Sequence, residues 1–111
     1  MALTEEQAKS YMIKLLTAMT RAGGSDVFIS KDFPPSMKIQ GTIQPMASQK
    51  LTADITRELA DSIMNERQRE EFSRELECNF AIAIPEVARF RVNVFVQQLN
   101  VGMVIRTIPN E

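Results

Sequence analysis

Ala88 to Gln98 reads ARFRVNVFVQQ. Apolar and polar residues alternate along it at period two, the pattern of a strand with one face turned to a core. Phe90, Val92, Val94 and Val96 fall on one side, and Arg89, Arg91, Asn93, Phe95 and Gln97 on the other. An unpaired guanidinium is costly to bury, so the arginine side is expected to face outward, with Phe95 as its awkward member. Arg89 and Arg91 then sit roughly 7 Å apart along one strand face. A guanidinium fork binds carboxylate and phosphate oxygens through directed hydrogen bonds. The pair therefore has three readings: solvated structural arginines, a protein interface, or a phosphate contact.

The flanking segments extend the pattern. Asn79 to Ile84 alternates too, with Phe80, Ile82 and Ile84 on one face, and Pro85 to Val87 supplies a turn. Beyond Leu99 and Asn100, Val101 to Ile108 reads as a last strand. At the other end, Leu3, Thr4 and Gln7 have the spacing of a hydrophobic staple and capping box. Ala8, Tyr11, Met12, Leu15, Leu16 and Met19 then recur at helical spacing, and Gly23 and Gly24 end that helix. SDVFIS, Ser25 to Ser30, is a short strand, and Pro34 and Pro35 force an extended path after it. Ser36 to Gln40 and Thr42 to Met46 read as two strands joined around Gly41. Thr52 caps a second helix with Asp54 in its first turn, and Ile55, Leu59, Ile63 and Met64 as its apolar face. Asn65, with Gln68 three places on, caps a third helix whose burial candidates are Phe72 and Leu76. Its Glu70–Arg74 and Glu71–Arg74 pairs contribute a few tenths of a kcal/mol, roughly. One helix, three short strands, two helices and a three-strand antiparallel meander predict an α+β fold with the helices on one sheet face. The opposite face then carries Arg89 and Arg91, with Arg106 as a further candidate.

A chain of 111 residues is one domain at most, and 44% apolar with 24% charged residues suits a soluble globular one. Fourteen acids against 13 bases give no general basic face for nucleic acid. The balance is local, however: from Ile84 onward Arg89, Arg91 and Arg106 are opposed only by Glu86 and Glu111. The single cysteine, Cys78, excludes an internal disulfide and a multi-cysteine metal site, and its place before an apolar strand predicts a buried thiol. The absence of histidine removes the commonest catalytic base and metal ligand. No apolar run approaches the roughly 18 residues of a membrane span, and no signal-peptide leader is visible, so a cytosolic chain without membrane insertion is expected. Gly23, Gly24, Gly41 and Gly102 form no phosphate-binding loop. Asp26 and Asp32 are separated by strand and loop, which disfavours a paired-carboxylate or metal site and favours a turn or backbone-capping role for Asp26. As an independent enzyme the chain has little to work with: no catalytic residue and no metal ligand is expected.

The segments SDVFIS, PPSMKIQG, IMNERQREEF, ECNFAIAIPEVARFRVNVFVQ and VGMVIRTIP stand in the order seen at the start of type IV pilus retraction ATPases. The chain resembles the PilT/PilU family of the secretion ATPase superfamily over nearly its whole length, most specifically in FAIAIPEVARFRVNVF followed by IRTIP. Phe28 stands where PilT-like chains usually have histidine, and Lys38 where many members have arginine. ECNFAIAI and LNVGMVIR look PilU-like, so the resemblance leans to that branch. It implies that residues 1–109 are a PAS-like N-terminal domain and that 110–111 begin a linker to a RecA-like ATPase domain. The complete protein would be a homohexamer that uses ATP and Mg2+ to drive pilus retraction and twitching motility. It would act from the cytoplasm, peripheral to the inner membrane through the pilus machinery. In that family the N-terminal domain packs on a neighbouring subunit's ATPase domain and brings arginines towards nucleotide phosphates. The matching positions here are Arg89, Arg91 and Arg106. The Walker loops and histidine-containing motifs belong to the ATPase domain, so no cofactor and no turnover are expected of residues 1–111 alone. Two alternatives belong to other classes. One is a PAS-like small-molecule sensor, which needs a concave pocket with convergent polar groups. The other is a pure interaction scaffold.

Overall fold

The computed structural model describes residues 2–109, so the expected start of a linker at 110–111 lies outside the described residues. The capping box forms as the sequence predicts. The Thr4 hydroxyl accepts the Gln7 N–H at 3.0 Å, and the Gln7 side chain accepts the Thr4 N–H at 2.9 Å. Both donors would otherwise be orphans of the first turn of α1 (Glu5–Arg21), and such a cap contributes about 1 kcal/mol. Ala8, Met12, Leu15, Leu16 and Met19 form the buried stripe of α1. The helix ends at Gly23, whose φ of +82° would strain any side chain.

The chain continues through β1 (Asp26–Ile29), β2 (Ser36–Ile39), β3 (Thr42–Pro45), α2 (Ala53–Ile63), α3 (Glu66–Glu75), β4 (Glu77–Ile84), β5 (Ala88–Gln97) and β6 (Asn100–Ile108). That is the predicted order of elements. The six strands form one sheet in the order β3-β2-β1-β6-β5-β4, and every neighbouring pair is antiparallel. The first and last strands meet at its centre, with Val27 opposite Ile105 and Phe28 opposite Val104. Two hairpins close through two-residue turns with positive φ at both positions: Gln40–Gly41 (+50° and +78°) and Gln98–Leu99 (+52° and +67°). Paired positive φ angles match the right-handed strand twist.

All three helices pack on one face of the sheet. Val27 and Ile29 from β1, Phe90, Val92 and Val94 from β5, and Met103 and Ile105 from β6 are buried there against Met12, Leu16, Met19 and Leu59. Cys78 is buried on β4, as its position predicts. Burial pushes its thiol pKa up, and the charge of Glu71 adds to the rise.

Three expectations need correction. Of the expected face of α2, Leu59 and the C-cap Met64 are buried and Ile55 and Ile63 pack on the core as half-buried flanks, but the face also includes Thr56, Ala60 and Ser62, which the sequence reading left out. Polar residues are accepted there because their hydroxyls are satisfied locally: Thr56 donates to the Ala53 carbonyl at 3.0 Å and Ser62 to that of Leu59 at 2.7 Å. Leu76 is 56% exposed rather than buried, since the helix ends on it in the left-handed conformation at φ +61°. Only Phe72 of α3 reaches the core, as a half-buried flank. Lastly, Arg74 pairs with Glu70 and Glu75, not Glu71. These are exposed pairs of little energetic weight.

Candidate functional site

The sheet face turned away from the helices carries the residues of interest. On β5, Arg89 and Arg91 are exposed on it, and Asn93 and Phe95 are half-buried, as the alternation predicts. The register then sets a row of ionisable residues across four strands. Arg91 stands opposite Arg106, Arg106 opposite Asp26, and Asp26 opposite Lys38. At the spacing of neighbouring strands, this row is about 14 Å long. Arg89 lies one alternate position along β5, opposite Ile108. The β5–β6 hairpin therefore gathers Arg89, Arg91 and Arg106 into one patch, and β1 brings Asp26 to it from 80 residues away.

The three arginines are not equivalent. The Nε of Arg106 donates to Asp26 Oδ2 at 3.1 Å. Asp26 is 4% exposed, and its Oδ1 accepts the Ser25 hydroxyl at 2.6 Å. This corrects the turn or capping role expected of Asp26: it is a strand residue whose partner lies 80 residues away. Arg106 keeps 71% of its side chain exposed, so the pair joins a solvated guanidinium to a covered carboxylate. Arg89 and Arg91 make no side-chain hydrogen bond or ion pair among the described residues. Sequence reasoning missed Asp26 and Lys38 as members of this patch. The available signal was the parity of β1 and β2, but their neighbours in the sheet were not legible.

Phe95 is explained by its cross-strand partner. It faces Gly102, and a Cβ on that glycine would stand 2.8 Å from the ring's Cε1 and 3.3 Å from the Ile29 carbonyl oxygen. The ring therefore lies over bare backbone, which is how an aromatic residue shields itself on an open sheet face. Gly102→Ala is expected to cost about 1–3 kcal/mol by overpacking, read from urea unfolding of the domain. A loss below about 0.5 kcal/mol would mean that the ring swings aside freely. Between Phe95 and Arg91, Asn93 holds its Oδ1 buried without a hydrogen-bond partner among the described residues.

Asp26 and Asp32 are not brought together as a site. Asp26 is committed to Arg106, while exposed Asp32 donates its backbone N–H to the Leu51 carbonyl at 2.8 Å. Among the described residues no group of three or more metal-ligating side chains is found, and no helix is long and apolar enough to cross a membrane. The row itself consists of Arg91, Arg106, Asp26 and Lys38, with Arg89 beside it, and the nearby Ser25 hydroxyl is committed to Asp26. Its arrangement suits neutralisation of anionic charge presented to the open face of the sheet.

No family model matches the chain. It is 47% identical over 95 residues to the type IV pilus ATPase PilU of Pseudomonas aeruginosa, covering 86% of this chain and 25% of that protein. To the PilT retraction ATPase of the same organism it is 37% identical over 98 residues, covering 88% and 28% respectively. Among solved structures, that of the pilus retraction motor PilT with bound ADP superposes with a TM-score of 0.83 at 27% identity, over 90% of this chain and 29% of that one. The ATPase DotB of Legionella pneumophila gives a TM-score of 0.79 at 18% identity, over 98% of this chain and 30% of that one, a likeness of fold alone. The chain spans about a quarter of the length of these curated relatives.

Proposed function

This chain belongs, as a single domain, to the PilT/PilU-like family of type IV pilus ATPases, and on that premise we propose that it is the non-catalytic N-terminal domain of a pilus retraction motor. Residues 1–109 form its PAS-like domain, and 110–111 begin the linker to a RecA-like ATPase domain. In the complete homohexamer this domain packs on the ATPase domain of a neighbouring subunit. The motor acts from the cytoplasm, held at the inner membrane by the pilus machinery, and does not engage nucleic acid. The higher identity to PilU than to PilT supports the PilU branch.

The observation that carries this reading is the convergence of Arg89, Arg91 and Arg106 on the open sheet face. ATP and Mg2+ would be held by the ATPase domain, and this domain's part is electrostatic. Guanidinium groups aimed at phosphate oxygens neutralise charge and link closure of the interdomain cleft to nucleotide state. Such a contribution is effective only when the arginine is correctly placed.

The test is the triple substitution of Arg89, Arg91 and Arg106 by alanine in the full-length protein, with hexamer content and ATP turnover measured together. Hexamers that form but turn over slowly support phosphate coupling. Loss of the hexamer would make the patch a scaffold instead. Residues 1–111 alone serve as the control, and steady ATP hydrolysis by that pure domain would overturn the non-catalytic assignment.

A further inference from the structure

We infer that Asp26 is a positioning residue for Arg106, holding its guanidinium by Nε so that the two terminal nitrogens are presented on the open face beside Arg91. The inference rests on the phosphate-coupling role proposed above and adds to it a residue that touches no nucleotide.

Four features of the row support it. First, the contact to Asp26 uses Nε, and the two Nη groups of Arg106 make no hydrogen bond among the described residues. A guanidinium held in this way keeps donors for an anion while losing its freedom to swing. Second, the carboxylate is itself fixed. Asp26 is 4% exposed, and the Ser25 hydroxyl on Oδ1 sets its plane so that Oδ2 meets Arg106. Third, Arg91 stands directly opposite Arg106. Like charges facing each other across strands repel, and each would be displaced by the other in the absence of a counter-charge. Asp26, on the far side of Arg106, offsets that repulsion and lets both cations occupy one face. Fourth, the ion pair is not needed to join β1 to β6, because the backbone ladder runs from Asp26–Arg106 to Ile29–Met103. Ordering a long side chain before its ligand arrives removes part of the entropy cost of binding.

The experiment compares Asp26→Asn, Arg106→Gln and the double substitution in the full-length hexamer, reading kcat/KM for ATP, hexamer content and thermal midpoint. Asp26→Asn is expected to lower kcat/KM between about ten- and a hundredfold, as a misplaced group does, with hexamer content and midpoint preserved. The double variant is expected to be no slower than Arg106→Gln, since residues acting as a unit are not additive. Ser25→Ala, at an exposed position, supplies a milder probe that keeps the charge and should lower kcat/KM by about threefold. If Arg106→Gln is slow but Asp26→Asn and Ser25→Ala match the parent, positioning is refuted while the arginine reading stands. If Arg106→Gln is also as fast as the parent, Arg106 does not serve phosphate, and both fall for this residue. If Asp26→Asn slows the enzyme only in proportion to lost hexamer, the ion pair is merely structural, and if the two single effects multiply in the double variant, the residues act independently; either result refutes positioning.

Discussion

Phe90→Ala is expected to lower the unfolding free energy of the isolated domain by about 3–5 kcal/mol. Phe90 is fully buried on β5, between Ile82 on β4 and Thr107 on β6 in the register of the sheet. It is the largest fully buried side chain among the described residues, in a core shared with Met12, Leu16 and Met19. Those neighbours belong to a sheet and a helix already fixed by their own hydrogen bonds, so they can close the space only in part. Domains of this size have a total stability of roughly 5–15 kcal/mol, so the variant should lose a large share of it. Urea titration followed by far-UV circular dichroism measures the change. A loss below about 1 kcal/mol would mean that the core repacks around the missing ring.

Arg91→Ala is expected to do the reverse. On the isolated domain it should cost under about 1 kcal/mol, because an exposed side chain without a bonded partner contributes little to folding. Arg91 also faces Arg106, so its removal relieves a like-charge contact. In the complete motor proposed above, the same change should lower ATP turnover by about 10²–10³, the usual effect of deleting one charge-stabilising donor at a reacting centre. The two variants sit on adjacent residues of one strand and should separate cleanly, one failing in the unfolding curve and the other in the turnover assay. Were Arg91→Ala as damaging to the lone domain as Phe90→Ala, the arginine would be structural and the phosphate-facing reading of β5 would have to be abandoned.

What could be read from the sequence was what lies close along the chain. The alternation in ARFRVNVF assigned both faces of β5 correctly, because a half-buried strand imposes period two on its residues. Thr4 with Gln7 and Asn65 with Gln68 announced two helix starts, since a capping box needs only three residues of separation. Leu76 misled because it stands four residues after Phe72, as a helical stripe requires, although the chain leaves the helix on that residue. The face of α2 was drawn too narrowly for a related reason: Thr56 and Ser62 look solvent-facing until their hydroxyls are seen to bond within the helix. Asp26 was misread because its role depends on β1 lying beside β6, a pairing set by the whole fold and by no local pattern. The outward placement of Arg89 and Arg91 was legible from the parity of β5, whereas Arg106 on β6 was named through the family resemblance. The carboxylate that distinguishes Arg106 from the other two was not.

The order of strands leaves β4 at one end of the sheet, paired on one side only with β5. Its sequence ECNFAIAI contains NFAIAI, six residues without charge or proline, with small Ala81 and Ala83 on the open face. Such a segment, with free main-chain groups along one edge, is a template for cross-β growth. The other end is blunter, since β3 is four residues long and stops at Pro45. Precipitation of the free domain in concentrated stocks would therefore start along β4. Asn79→Lys, opposite Asn93 rather than an arginine, is the natural gatekeeper for keeping such stocks clear.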